Sequence, residues 1–218
     1  MRALDDDGDD IYKSLREDAM VPNIIFDMGG VLLDFSEARL MEHFFGRLSE
    51  EAQAQIYGAM FGSGLWRRMD RGDFDEAGTV HAICELLPEE LHAPIEHMIP
   101  RYFEAMPPLP ANELIPLLKA RGQRVYLLTN APHAFHREKC RLPYLHLFDG
   151  VFASCDVGLL KPDPEIYRAF LRAFDLRARE CLFIDDVRAN IESAAGVGIA
   201  GHCFEARDLD KLKRFLEL

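Results

Sequence analysis

Asp27, Thr129, Asn130, Lys161, Asp185 and Asp186 are residues whose types and positions invite a chemical reading. A carboxylate can attack phosphorus and form an aspartyl-phosphate, which splits one hard hydrolysis into two easier steps. It meets a phosphate dianion only against repulsion, since two unit charges 4 Å apart cost roughly 4 kcal/mol at an effective dielectric near 20. A Mg²⁺ held by carboxylates, together with a lysine ammonium, neutralises that charge, and a hydroxyl or backbone N–H takes the remaining phosphate oxygen. The chain offers each of these parts. Each part also has an ordinary reading when taken alone. Asp27 can cap a helix, Thr129-Asn130 ahead of Pro132 can build a turn, and Lys161 before Pro162 can be a solvated surface group. The adjacent pair Asp185-Asp186 is less easily set aside, because two carboxylates closing an apolar run repel unless a cation lies between them. Asn190 follows Asp186 by four residues, so both can face one point at a helix entrance.

The flanking pattern shows what must position these groups. Asn23-Ile24-Ile25-Phe26-Asp27 is an apolar run ending in an acid and followed by Gly29-Gly30, which reads as a buried strand closing at a tight turn. The segments 124–129, 150–153, 181–185 and 202–204 have the same character. Helical periodicity runs over 112–121, 163–174, 188–196 and 208–216; Ile166, Ala169, Phe170, Ala173 and Phe174, for example, fall on one face. Strands alternating with helices predict an α/β fold, a doubly wound, Rossmann-like parallel sheet covered on both faces. In such a sheet ligands bind beyond the carboxyl ends of the strands. Asp27, Thr129-Asn130 and Asp185-Asp186 all stand there, and the loop 158–164 presents Lys161 just ahead of a helix. From 36 to about 105 the alternation breaks into amphipathic runs (39–46, 50–61, 76–87 and 89–99), and Pro107, Pro108 and Pro110 mark its return. The predicted division is an acidic N-terminal extension over 1–20, an α/β catalytic core over 21–35 and 107–218, and a helical cap over 36–106.

Four ordered segments resemble the motifs of the haloacid dehalogenase-like superfamily of phosphatases. Phe26-Asp27-Met28-Gly29-Gly30-Val31-Leu32 is similar to the first motif and Leu127-Leu128-Thr129-Asn130 to the second. Lys161-Pro162-Asp163-Pro164-Glu165-Ile166-Tyr167 is similar to the third, and 183–190, which begins Phe183-Ile184-Asp185-Asp186, to the fourth. The resemblance covers 23–204, and the helical insert falls where the family places its small cap. It implies that Asp27 is the nucleophile and Asp186 a Mg²⁺ ligand, with the Gly29 carbonyl a further ligand. It also implies that Thr129 and the Asn130 backbone N–H bind the phosphoryl group, and that Lys161 steadies phosphate and nucleophile together. Asp185 and Asn190 would support the metal from behind or through water.

The first motif departs from the family pattern at one position. Two residues after the nucleophile the family normally has a second aspartate, the acid for the leaving group and then the base for water; here that residue is Gly29. A positioned acid–base is worth about 10²–10⁴-fold. Asp34 is the nearest other acid. The same glycine appears in a bacterial subgroup that includes an α-D-glucose-1-phosphate phosphatase, and the anomeric oxygen of a sugar 1-phosphate leaves more readily than an ordinary alkoxide. The expected activity is therefore Mg²⁺-dependent hydrolysis of a small phosphorylated metabolite, a sugar phosphate such as a sugar 1-phosphate. Around a predicted bend over 64–72, Trp66 can stack on a sugar face and Arg68 can grip an anion, or the two can simply pack and be solvated. The alternatives are a 2-haloacid dehalogenase, which uses the same aspartate without metal, and a catalytically weak protein that acts through contacts. A receiver domain, which also combines Asp, Thr/Ser and Lys, carries its paired acids early; here the pair comes last.

Composition narrows the classes. Of 218 residues, 49% are hydrophobic and 10% aromatic, enough for a core. A mean hydropathy of −0.11 and the lack of a long apolar run predict no membrane span. Twenty-five basic against 37 acidic residues give a net charge of −12, and no basic cluster supplies a nucleic-acid footprint. Five scattered cysteines without a CxxC pair fit reduced thiols and a cytoplasmic protein. Seven acids and three bases crowd the first twenty residues, without the pattern of a signal peptide. The expected assembly is a monomer or homodimer.

Overall fold

The computed structural model describes residues 21–205 and 207–218; the expected acidic extension over 1–20 lies outside the described residues. Five strands form one sheet: β1 (Asn23–Phe26), β2 (Arg124–Thr129), β3 (Gly150–Ala153), β4 (Cys181–Asp185) and β5 (Ala200–Cys203). All pairings are parallel and the order is β3-β2-β1-β4-β5. The sheet is buried on both sides, which explains why its central strands are continuous apolar runs and not alternating ones. Ile24, Phe26, Val125, Leu127, Leu182 and Ile184 face α6 (Leu114–Ala120) and α10 (Leu209–Leu216). Ile25, Tyr126, Leu128 and Phe183 face α8 (Pro164–Ala173) and α9 (Arg188–Gly196) on the opposite side. Full burial of each such side chain contributes about 1.5–3 kcal/mol. The fold is the doubly wound parallel sheet that the alternation predicts.

Between β1 and α6 the described chain forms helical elements, joined by short 3-10 turns. They are α1 (Glu37–Phe45), α2 (Glu50–Tyr57), a π-helical turn (Gly58–Gly62), α3 (Leu65–Asp70), α4 (Glu76–Cys84) and α5 (His92–Met98). Ser36, Ser49 and Asp75 cap α1, α2 and α4 by accepting a backbone N–H three residues on. The expected helix over 50–61 thus closes in a π turn, and the expected bend over 64–72 is the helix α3. That helix is bounded by Gly64 (φ 78) and Gly72 (φ 87), and it buries Leu65, Trp66 and Met69. Outgoing and returning chain lie side by side, with Asp34 N–H on the Pro107 carbonyl and Leu109 N–H on the Leu32 carbonyl. A short α7 (Phe135–Glu138) follows β2. Among the described residues no helix is long and apolar enough to cross a membrane.

Candidate active site

Register brings the chemical residues together. Phe26 pairs with Leu127 on one side and Ile184 on the other, so Asp27 and Asp185 leave their strands level with each other. Asp27 N–H is held by the Ile184 carbonyl at 2.9 Å. Lys161 reaches into the same layer from its loop, and its Nζ lies 2.7 Å from Asp27 Oδ1 and 2.7 Å from Asp185 Oδ2. Asn130 locks that loop: its Oδ1 accepts from Lys161 N–H at 2.8 Å and its Nδ2 donates to the Lys161 carbonyl at 3.0 Å. Burial opposes the charge on Lys161, but Asp185 and Asp27 outweigh it and hold the ammonium above its usual range. Burial pushes Asp27 up to about 7, against the pull of Lys161, and Asp185 and Asp186 add to the push.

Asp185 is fully buried and its oxygens are committed. Besides Lys161 they accept from Val187 N–H at 2.8 Å and from Asn190 Nδ2 at 2.9 and 3.0 Å. Asn190 is itself anchored, with its carbonyl accepting the Tyr167 hydroxyl at 2.9 Å. Asn190 therefore turns to Asp185, not to Asp186. Asp186 faces the cavity, and burial and the Asp185 charge raise its carboxyl above the ordinary range. It also explains Gly30: a Cβ there would sit 2.0 Å from Asp186 Oδ2, and the backbone is left-handed at φ 77. Carboxylate oxygens of Asp27, Asp185 and Asp186 lie within 4.8 Å of one another. Three carboxylates share one ammonium, so the cluster carries an uncompensated negative charge in an all-oxygen setting, which suits a hard divalent cation. With Asp185 committed, Asp27 and Asp186 are the side chains left to hold one, and Gly29 lines the cavity beside them.

That cavity, of about 400 Å³, has Asp27, Thr129, Lys161 and Asp186 on its floor. Opposite them the helical segment contributes Trp66, Asp70 and Tyr102, and Phe35 and Arg207 stand at the side. Trp66 is buried, stacked on Phe35 at 6.0 Å and packed against Phe61 and Tyr102 at 5.1 Å, and it still lines the cavity. Arg68, expected as an anion grip, does not line the cavity. Its Nε bonds Asp73 at 3.1 Å and its guanidinium covers the Phe74 ring at 4.5 Å. The reason is helical geometry: on α3, residue 68 lies two places from Trp66 and so projects to another face. Asp34, the nearest acid by sequence, is ion-paired to Arg39 and Arg207 and lies outside the cavity. Asp70, Tyr102, Phe35 and Arg207 were not legible as site residues. For Asp70 the signal is its i,i+4 spacing from Trp66, which acquires meaning only once 65–70 is a helix.

One further group of donors, His133, Cys155 and Asp156, lies together at the edge of the core. Asp156 already bonds His136 at 2.7 Å, and burial and the Asp156 charge push the Cys155 thiol up to about 12, away from the thiolate a metal needs.

The family model for haloacid dehalogenase-like hydrolases matches residues 21–198. A sesquiterpene phosphatase of Aspergillus oryzae, astK, is 29% identical over 198 residues, covering 85% of this chain and 94% of its own. A phosphorylated carbohydrates phosphatase of Thermotoga maritima is 25% identical over 183 residues, 81% of each chain. Among solved structures, the enzyme bt-2542 of Bacteroides thetaiotaomicron, crystallised with magnesium and inorganic phosphate, aligns with a TM-score of 0.65 at 23% identity, over 84% of this chain and 93% of its own.

Proposed function

The chain belongs to the haloacid dehalogenase-like hydrolases, and from that premise we propose that it is a phosphatase hydrolysing a small phosphomonoester through an aspartyl-phosphate on Asp27. The observation that carries the reading is the Lys161 ammonium bridging Asp27 and Asp185 at 2.7 Å each, on the floor of a cavity shared with Asp186. A carboxylate held this way is oriented before substrate arrives, so little ordering remains for the attack itself.

Asp27 attacks phosphorus, and the bond to the ester oxygen breaks as the new P–O bond forms. Thr129 and the Asn130 backbone N–H hold phosphoryl oxygens, and Lys161 stabilises the charge they share with Asp27. Asp185 keeps Lys161 in place, and Asn190 keeps Asp185 in place. Water then attacks the phosphoenzyme and frees Asp27 and phosphate. Asp27, Asp186 and the Gly29 carbonyl are the groups that would hold Mg²⁺. When bound, the ion supplies positive charge beside the transferring phosphoryl group. The excess carboxylate charge supports this, as does the magnesium and phosphate complex of the Bacteroides neighbour.

The substrate reading is a sugar phosphate such as a sugar 1-phosphate, taken up beneath the helical segment 36–106 acting as a cap. It is supported by a cavity walled by Trp66, Phe35 and Tyr102, whose ring faces suit a sugar, and by the carbohydrate phosphatase relative. Phosphatase relatives and the Asp185-Asp186 pair weigh against the dehalogenase, which has no use for a metal site. The test is phosphate release from a panel of sugar phosphates with Mg²⁺, with and without EDTA. Turnover abolished by the chelator and restored by Mg²⁺ is expected; chloride release from 2-chloropropionate undiminished by EDTA would overturn the reading.

A further inference from the structure

With the roles proposed above, no group on the floor of the cavity is left to protonate a leaving group. Gly29 has no side chain, Lys161 is tied to two carboxylates, Asp185 is committed, and Asp27 and Asp186 are the groups proposed to attack phosphorus and to hold the metal; Asp34, outside the cavity, is paired elsewhere. Among the described residues the helical segment brings two carboxyl residues to the cavity: Glu37, which accepts the Tyr57 hydroxyl, and Asp70 at the end of α3. Asp70 differs from Asp27, Asp185 and Glu37, whose carboxylates are all engaged. Among the described residues no hydrogen bond or ion pair engages its carboxyl, although its backbone carbonyl accepts from the Ser154 hydroxyl. That bond fixes the end of α3 to the core, because the same hydroxyl accepts Ala131 N–H at 2.9 Å just beyond Thr129-Asn130. Cys155 packs so close to Gly72 that a Cβ there would lie 2.8 Å from the Cys155 carbonyl. Asp70 is therefore an unpartnered acid on a fixed support, opposite the nucleophile.

We infer that Asp70 is the general acid–base of this site, standing in from the helical wall for the aspartate missing at Gly29; the inference rests on the phosphatase reading above. As the ester P–O bond breaks, the Asp70 proton passes to the departing alkoxide oxygen, giving the alcohol. The Asp70 carboxylate then takes a proton from the water that attacks phosphorus, the Asp27–phosphorus bond breaks, and phosphate leaves with both aspartates restored. The groups acting electrically on Asp70 are Arg67, which favours its charged form, Asp27, which opposes it, and Lys161, which favours it. Burial is the largest influence and lifts the carboxyl well above the ordinary range, so it keeps a proton to give. Tyr102 and Cys155 also feel the Asp70 charge, but both are held far from ionisation by burial.

Leaving-group dependence tests this, because a structural role would not change it. The full chain with Mg²⁺ is assayed on phosphomonoesters running from p-nitrophenyl phosphate to simple alkyl phosphates. The native protein should show a shallow fall of kcat/KM with leaving-group pKa. Asp70→Asn should lose about 10²–10⁴-fold on alkyl phosphates and less than about tenfold on p-nitrophenyl phosphate. It should melt no lower than the native chain, having no partner to lose; Asp70→Ser is the second variant, with the same steepened slope. Gly29→Asp in the Asp70→Asn background should flatten the slope again. The backbone admits it, since a Cβ at 29 meets only Phe35, at 3.4 Å, and Gly29 is not left-handed. An equal loss across the series in both Asp70 variants, with native melting, would overturn the assignment. In that case an inactive Asp27→Asn leaves the phosphatase reading standing, whereas an active one removes that reading first.

Discussion

Along the strand ends, polar groups on the cavity floor are tied to one another: Lys161 to Asp27 and Asp185, Asp185 to Val187 and Asn190, Asn130 to the Lys161 backbone. The helical wall opposite is built the other way. Charged side chains around it pair in solvent, as Arg71 does with Asp73 and Arg137 with Glu76, and it turns inward Trp66 and Tyr102, with Asp70 unpaired among the described residues. A buried charge without a partner is costly, so the floor stays fixed only as a complete network. The wall carries no such network; packing, not pairing, holds Trp66 and Tyr102 in place. For the proposed phosphatase the difference separates chemistry from selectivity: the floor would be the part preorganised for phosphoryl transfer, and the wall the part that meets what is attached to the phosphate.

Removing the proposed nucleophile should strike the floor hardest. Asp27→Asn is nearly isosteric and should fold, yet lose roughly 10⁴-fold or more in kcat for phosphate release; undiminished turnover by a folded variant would sink the nucleophile assignment. Asp185→Asn attacks the same network without touching substrate. It should cost about 3 kcal/mol in denaturant unfolding, because Lys161 loses one of its two buried counter-charges. A cost within 0.5 kcal/mol, on the order seen at ordinary surface sites, would mean that the floor is not interlocked.

Metal binding comes next in size. Mg²⁺ at about a hundred times its Kd should stabilise the protein by about 2.7 kcal/mol, seen as a rise in Tm, because the cluster exists only in the native state. Asp186→Asn should shrink that rise. A melting curve unmoved by millimolar Mg²⁺ would count against the cluster as a cation site. The smallest effect belongs to the outer face of the wall. Arg68→Ala should leave KM within about twofold and stability within about 0.5 kcal/mol, since its partners Asp73 and Phe74 are partly exposed. A large rise in KM would place Arg68 against substrate and blur the contrast between the two faces of α3.

The floor was legible in the chain because its logic is local. Most of the floor residues sit where an apolar run stops, and in a parallel sheet those stops converge on one edge. Asp27, Thr129 and Asp185 follow from that rule alone, and Lys161 from its place ahead of a proline-started helix. The wall obeys no such rule. Residues 64–72 read as a bend from their glycines, but the structure uses Gly64 and Gly72 to bound a helix, and that one difference reassigns its side chains. Trp66 and Asp70, four apart, share a face, while Arg68 projects elsewhere to Asp73.

By itself, then, the sequence determined the order of strands and helices, the two-sided burial of the sheet and the set of groups gathered at its edge, because hydrophobic period and strand endings are properties of neighbouring residues. Tertiary structure decided the rest. It committed Asp185 to Lys161 and Asn190 and left Asp186 facing the cavity, a distinction between adjacent identical residues that depends on which way a turn points them. It spent Asp34 on Arg207, 173 residues away in the chain. It also brought Asp70 across from another segment to face Asp27. No spacing along the chain encodes that meeting, because it depends on how a helical insert returns over the sheet from which it left.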